Sequence, residues 1–360
     1  MIPADIGAEI ARLLQAAVAA GDVPGNVGEL SAAGTWRPAP AQAGGGPGTY
    51  ATSLPLEISG LAGTAAGPLA GRLAAGLGGV AWIRSARVTG DRYLTVSVTA
   101  RHLAALPARI VAAGPASVRS RALAGLRATA PGLPDLGAAP AWERAWRMQR
   151  DALVGRLADA AGATVMFAQS QRNAPSDSAA QPTAGAVPAA VAHYGADAVR
   201  YALARASVPQ PGAITRQLGL PLDLANPFVL VRYAHADAAC TLRWAADLGL
   251  APVDERGRST GDDLLPPELA LIDAMSWLPE RVAAAARRSR PAELTACLED
   301  ISGAWLDCSE HCSALPFRGS GAPSNPQGPQ AAARLGLASA ARVAIAAGLA
   351  LLGLAAPARM

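Results

Sequence analysis

The sequence predicts an α+β N-terminal domain followed by an all-α C-terminal helical bundle. Three observations carry that expectation. Two strand-like runs, Val80–Val88 and Tyr93–Thr99, are joined by the turn residues Thr89-Gly90-Asp91 and lie among amphipathic segments of the N-terminal part. From Val191 onward the apolar spacing is helical almost to the end, broken only where prolines gather. Between the two, residues 168–186 read AQSQRNAPSDSAAQPTAGA, a polar low-complexity stretch suited to a flexible linker.

Taken in order, residues 4–20 place Ile6, Ile10, Leu13, Leu14 and Val18 at helical spacing. Residues 35–49 form a Gly/Pro loop. Helical patterns follow from Tyr50 into Gly60 and over Pro68–Leu77, then the two strands, then a helix over Leu103–Ala113. Residues 1–113 thus make one α/β unit of ordinary domain size. Residues 114–190 form a connector, with Ala/Arg helices over Val118–Ala128 and Ala141–Ala161 ahead of the linker. Residues 191–360 break at 209–211, 221–227, 251–267 and 316–329, which divides the bundle into five or six helices.

The 360 residues are 51% apolar and only 16% charged, so the chain buries large cores and is not disordered. All 31 basic side chains are arginine. Every cation is therefore a planar fork suited to phosphate or carboxylate, although genome base composition explains such usage equally well. A net charge of +4 is a mild pointer to a polyanionic partner. Cys240, Cys297, Cys308 and Cys312 suit reduced core thiols in a cytoplasmic protein. The opening MIPADIGAEIARLL places Asp5 and Glu9 before any apolar run, unlike a signal peptide. The apolar tail Val343–Ala356 is too short for a bilayer and reads as a buried helix, so no membrane partner is expected.

GADAVRYALARAS (residues 195–207) resembles the anticodon-binding helical domain of arginyl-tRNA synthetases, named for an Asp-Ala-Leu-Arg run that here reads Asp197-Ala198-Val199-Arg200. LTACLEDISGAWLDCSEHCSALP (294–316) is similar to the family's Leu-Glu-Asp helix, and GLALLGLAAPARM (348–360) to its C-terminus. More weakly, GGGPGTYATSLPLEIS and GDRYLTVSV resemble the synthetases' N-terminal additional domain. In that domain an aromatic, one residue and an Asn touch the D-loop of tRNA. Tyr93 matches the aromatic, and Thr95 stands in place of the Asn.

The resemblance implies a tRNA partner. It assigns contact to Arg92, Tyr93 and Thr95 in the N-terminal unit, and to Arg200, Arg232, Tyr233, His235, Arg243, Trp305, Arg359 and Met360 in the bundle. In the family the Tyr-Ala-His helix lies beside the anticodon-stem surface. Where family members carry Arg after the second Ala, this chain has Asp237, which removes one cation from the expected RNA face. PGAITRQLGLPLDLA replaces an acidic strand that faces the family's catalytic domain, and it holds Arg216 and a single Asp223.

Arginyl-tRNA synthetases place an ATP-binding domain between these two parts, with a His-Ile-Gly-His-type turn and a Lys-Met-Ser-Lys-type loop. This chain has no lysine, and none of His102, His193, His235 and His311 stands in a His-x-Gly-His context. The expectation is therefore a tRNA-binding paralogue without aminoacylation, a pseudoenzyme with no cofactor, metal or ATP. A module docking on a synthetase or biosynthetic enzyme is the alternative, and a ligase with residual activity is a third reading.

Individual residues carry alternatives of their own. Two positions apart on a helix are about 200° apart, so of Tyr233 and His235 one faces the core and the other the surface. Both are packing residues, or they serve RNA by stacking. The Trp142–Arg150 helix docks domains or touches RNA, and docking is favoured because tryptophan is usually buried. Arg281, Arg287, Arg288 and Arg290 form a solvated helix end or a phosphate contact. Cys308, His311 and Cys312 share a helical turn but lack a fourth metal ligand.

Overall fold

The computed structural model describes residues 1–21, 36–39, 45–62, 65–90, 92–139, 141–168, 186–252, 261, 263–315 and 329–360. Most of the expected linker, at 169–185, lies outside them, as do parts of the loops at 35–49, 251–267 and 316–329.

Helix α1 (Ile2–Ala19) buries Ile2, Ile6, Ile10 and Leu14, the stripe its spacing dictates. Strands β1 (Trp36–Pro38), β2 (Thr49–Thr52), β3 (Ile83–Thr89) and β4 (Tyr93–Val98) form an antiparallel sheet in the order β1-β2-β4-β3. Gly90 adopts φ +58°, which supplies the left-handed residue the β3–β4 turn needs. Helices α2 (Leu54–Ala62), α3 (Ala66–Gly78), α4 (Ala100–Ala104) and α5 (Leu106–Ala113) complete the unit.

Tyr50 stands in β2 rather than at a helix start. The Thr52 hydroxyl accepts from Leu54 N, and Pro55 opens α2 just after the strand.

The connector differs most from expectation. No helix covers 118–128. A 3-10 turn over Gly114–Val118 leads to β5 (Arg127–Pro131), which pairs in parallel with β6 (Thr164–Ala168) across helix α6 (Trp142–Ala160). Gly125, at φ +86°, interrupts the Ala/Arg run, and pairing with a strand far along the chain overrides helix propensity. Gly155 lets α6 lie on β5, because a Cβ there would stand 2.1 Å from Ala130 Cβ.

The bundle comprises α7 (Ala186–Tyr194), α8 (Ala196–Arg205), α9 (Pro211–Leu218), α10 (Pro227–Asp247), α11 (Pro266–Ser276), α12 (Leu278–Arg287), α13 (Ala292–His311) and α14 (Pro329–Leu351). There are more helices than spacing foresaw because α7 is a separate short helix and the chain bends at Trp277 between α11 and α12. Among the described residues one helix, α14, is long and apolar enough to cross a membrane. Most of its apolar window is buried, and it packs on α10, α13 and α5.

One hydrophobic core runs from Ile2 to Leu354 and joins the N-terminal unit to the bundle. At the junction Tyr50 OH and Ser276 Oγ share a hydrogen bond of 2.9 Å. Gly48 N donates to Asp273 Oδ1 at 2.8 Å, and Trp277 Nε1 donates to Asp273 Oδ2 at 3.3 Å. The Tyr50 and Trp277 rings lie 5.0 Å apart. Burial raises the pKa of both Tyr50 and Asp273. A second cluster beneath α6, α7 and α8 holds Leu136, Trp142, Val187, Leu203 and Ile214.

Candidate nucleic-acid interface

Helix α10 is set by its first residues. Asn226 caps it, accepting from Phe228 N at 3.1 Å, and Pro227 occupies the first turn where no donor is needed. The helix turns its Ala-rich side, with Val229, Val231, Ala234 and Ala238, into the core.

Tyr233 is 41% exposed and His235 only 5%, so the pair divides between surface and interior. His235 Nδ1 meets the Pro357 carbonyl at 2.7 Å, and Arg243 Nη1 donates to Ala358 O at 2.8 Å. Burial lowers the pKa of the imidazole, against the opposing hydrogen bond to Pro357. These two contacts strap the C-terminal tail along α10 and leave Arg359 and Met360 exposed beside it. Arg232 lies 5.1 Å from the Phe228 ring centroid, and its buried Nε has no hydrogen-bond partner among the described residues.

Sequence reading missed Trp244, which is 57% exposed. It follows Tyr233 by eleven residues, three turns plus about 20°, so both rings stand on one line about 16 Å apart. Arg232 and Arg243 repeat that spacing on the adjacent line. The i to i+11 recurrence of an Arg-aromatic pair, Arg232-Tyr233 then Arg243-Trp244, was the available signal.

Besides His235, three assigned residues face inward. Trp305 is 3% exposed, and its Nε1 donates to Asp237 Oδ2 at 3.0 Å. Asp237 is thus turned onto α13, and burial raises its pKa despite that bond. It is an internal anchor for Trp305. Arg200 donates to Gln149 Oε1 at 3.1 Å and to Pro134 O at 2.7 Å, which ties α8 to the connector. On β4, Thr95 is 2% exposed and its hydroxyl bonds Thr89 Oγ1 at 3.1 Å. Tyr93 stays partly open, with the Arg37 guanidinium 4.6 Å from its ring centre, and Arg92 is exposed.

The remaining clusters are structural in their contacts. Trp142 is buried, and Trp146 Nε1 donates to Ala206 O at 2.8 Å, so α6 docks on the end of α8. In the basic run, Arg287 pairs with Glu280 and Arg288 with Glu293, while Arg281 lies over the Trp277 ring. Cys308 and Cys312 are buried, whereas His311 is exposed and bonds Asp307. No group of metal-ligating residues occurs among the described residues.

The family description "DALR anticodon binding domain" matches residues 231–360, the stretch that contains most of α10, the buried Trp305 and the strapped tail. This part of the chain is similar to DALR anticodon-binding domains. The chain is also 37% identical over 175 residues to the arginine–tRNA ligase of Frankia alni, an alignment covering 46% of this chain and 29% of that protein. The C-terminal half is therefore homologous to arginine–tRNA ligases, while the chain spans less than a third of that relative's length. Two solved structures are similar in part. A putative arginyl-tRNA synthetase from Campylobacter jejuni shares 16% identity over 60% of this chain and 44% of its own, with a TM-score of 0.38. The Thermus thermophilus arginyl-tRNA synthetase shares 19% identity over 65% of this chain and 40% of its own, with a TM-score of 0.34.

Proposed function

We propose that this protein binds tRNA through the exposed flank of α10 in its anticodon-binding domain and does not itself charge it. The observation that carries the reading is the paired Arg-aromatic repeat on α10 within the domain match. Unpaired bases stack on rings such as Tyr233 and Trp244, and phosphates take the forks of Arg232, Arg243 and Arg359. Tyr93 and Arg92 on β4 offer a smaller second contact. His235, Trp305 and Asp237 act by holding the tail and α13 in place. The absence of lysine, and with it of a Lys-Met-Ser-Lys-type loop, supports a role in sequestering, delivering or sensing tRNA. The free thiols fit work in the cytoplasm.

A gel-shift titration against bulk tRNA tests the binding. Affinity should fall steeply with salt, and no binding at micromolar protein rejects the proposal. ATP–pyrophosphate exchange with arginine tests the second half, and clear exchange overturns it.

One observation favours docking on a protein as a second reading. A cleft of about 350 Å³ between α8 and α9, lined in part by Arg205, Ile214, Arg216 and Leu220, is flanked in sequence by the exposed Val208, Leu222 and Leu224. Nuclease-resistant co-purification with a synthetase would support it over RNA binding.

A further inference from the structure

Among the described residues four strands stand at a sheet edge, and three of them carry residues that deter pairing. β1 holds Arg37 and Pro38, β3 holds Arg84 and Arg87, and β5 holds Arg127 and Pro131. Charges and prolines on an edge are the usual means of preventing strand addition. The fourth, β6, reads Thr-Val-Met-Phe-Ala and has neither. Its only strand neighbour among the described residues is β5.

Thr164 N donates to Leu126 O at 2.8 Å on the β5 side. Because main-chain groups alternate along a strand, those of Thr164 and Met166 face β5 and those of Val165 and Phe167 face away. No described residue bonds these outward groups. Met166 is 69% exposed and Phe167 45%.

We infer that the β6 edge is a self-association site that pairs antiparallel with β6 of a second copy of this chain. The occupant follows from the edge itself. A segment with no charge meets its own copy without repulsion, and its outward groups complement each other about a two-fold axis through Met166. Val165 of each copy then exchanges N–H and C=O bonds with Phe167 of the other, as hydrogen-bonded antiparallel pairs do. The two Met166 side chains meet on the face opposite α6, and the result is a four-stranded sheet β5-β6-β6-β5. Two five-residue strands bury less than the roughly 1,200 Å² of lasting complexes, so the dimer is weak and forms as concentration rises.

Sedimentation velocity on the nuclease-treated full chain, from about 1 μM to about 1 mM, should show a progressive shift to dimer. Met166→Arg and Met166→Glu each place like charges against one another at the axis. Each variant alone should stay monomeric, with circular dichroism unchanged because the side chain is exposed. An equimolar mixture of the two should recover the dimer. A wild-type chain that is monomeric throughout overturns the inference, and so does a dimer that both variants leave intact.

Discussion

The junction beneath β2 and the flank of α10 are built from the same residue types and use them in opposite ways. At the junction a tyrosine and a tryptophan close on each other, and the polar groups of Tyr50, Asp273, Ser276 and Trp277 are satisfied by partners within the fold. On α10, Tyr233 and Trp244 stand in solvent with no ring or hydrogen-bond partner among the described residues, and Arg232 keeps an unpartnered Nε. An aromatic enclosed by matched donors and acceptors has completed its role in folding. An aromatic left open to solvent retains its binding capacity for a ligand.

The largest effect that separates the two regions is on stability. Tyr50→Ala removes a fully buried ring from the shared core and should cost about 3–5 kcal/mol in urea unfolding. Tyr50→Phe, which keeps the ring and removes the hydroxyl that meets Ser276 and Asp273, should cost about 1 kcal/mol. An unchanged midpoint for Tyr50→Ala would mean that the N-terminal unit and the bundle do not share a core.

Asp237 comes next, and it decides between an internal anchor and an external charge. Asp237→Arg should destabilise by about 1–3 kcal/mol, because Trp305 loses its acceptor in a buried setting. It should not strengthen tRNA binding. A gain in affinity at unchanged stability would place position 237 on the RNA face instead.

For the α10 flank the expected result is reversed. Tyr233→Ala and Trp244→Ala should each weaken tRNA binding by about 1–3 kcal/mol, the value of one stacked base. Each should shift stability by no more than about 0.5 kcal/mol. If Trp244→Ala leaves affinity unchanged while Tyr233→Ala lowers it, the contact is confined to the first turns of the helix.

Much of this comparison was legible in the sequence, because it depends on local rules. Asn226-Pro227 announces the start of α10, and the two-residue offset requires Tyr233 and His235 to part. The Gly90 turn between two alternating runs announces β3 and β4. What was not legible depends on distant partners. Ala and Arg between 118 and 128 have helical propensity, and only pairing with β6 makes Arg127–Pro131 a strand. Asp237 lies about 40° from Tyr233 on the helix, so spacing places it on the outer face, and only Trp305, 68 residues later, draws it inward. The tail strapped by His235 and Arg243 was likewise invisible, because backbone carbonyls leave no mark in the side-chain pattern.

The smallest effect concerns pH, and it separates two aspartates that both tie the fold together. Burial tends to raise the pKa of Asp5, but the nearby His102 ring, the hydrogen bonds from Arg109 and the guanidinium charge outweigh it and hold the group at about 2, below the ordinary 3.8. The folded state therefore favours the carboxylate. Its contribution is present above pH 3.8 and disappears as pH falls toward 2. Asp273 runs the other way. Burial outweighs its bonds from Gly48, Trp277 and Tyr50 and raises its pKa, so the folded state holds the proton more tightly than the unfolded chain. Its contribution is largest in acid and declines as pH rises past the ordinary aspartate range. Asp5→Asn should accordingly be less stable than wild type at pH 7, with the deficit closing below pH 4. For Asp273→Asn the pH-dependent part of the deficit should have the opposite sign, shrinking as pH rises. Denaturant midpoints from about pH 2 to about pH 7 read both slopes, and parallel curves for the two variants would show that the salt-bridged and the buried aspartate titrate alike.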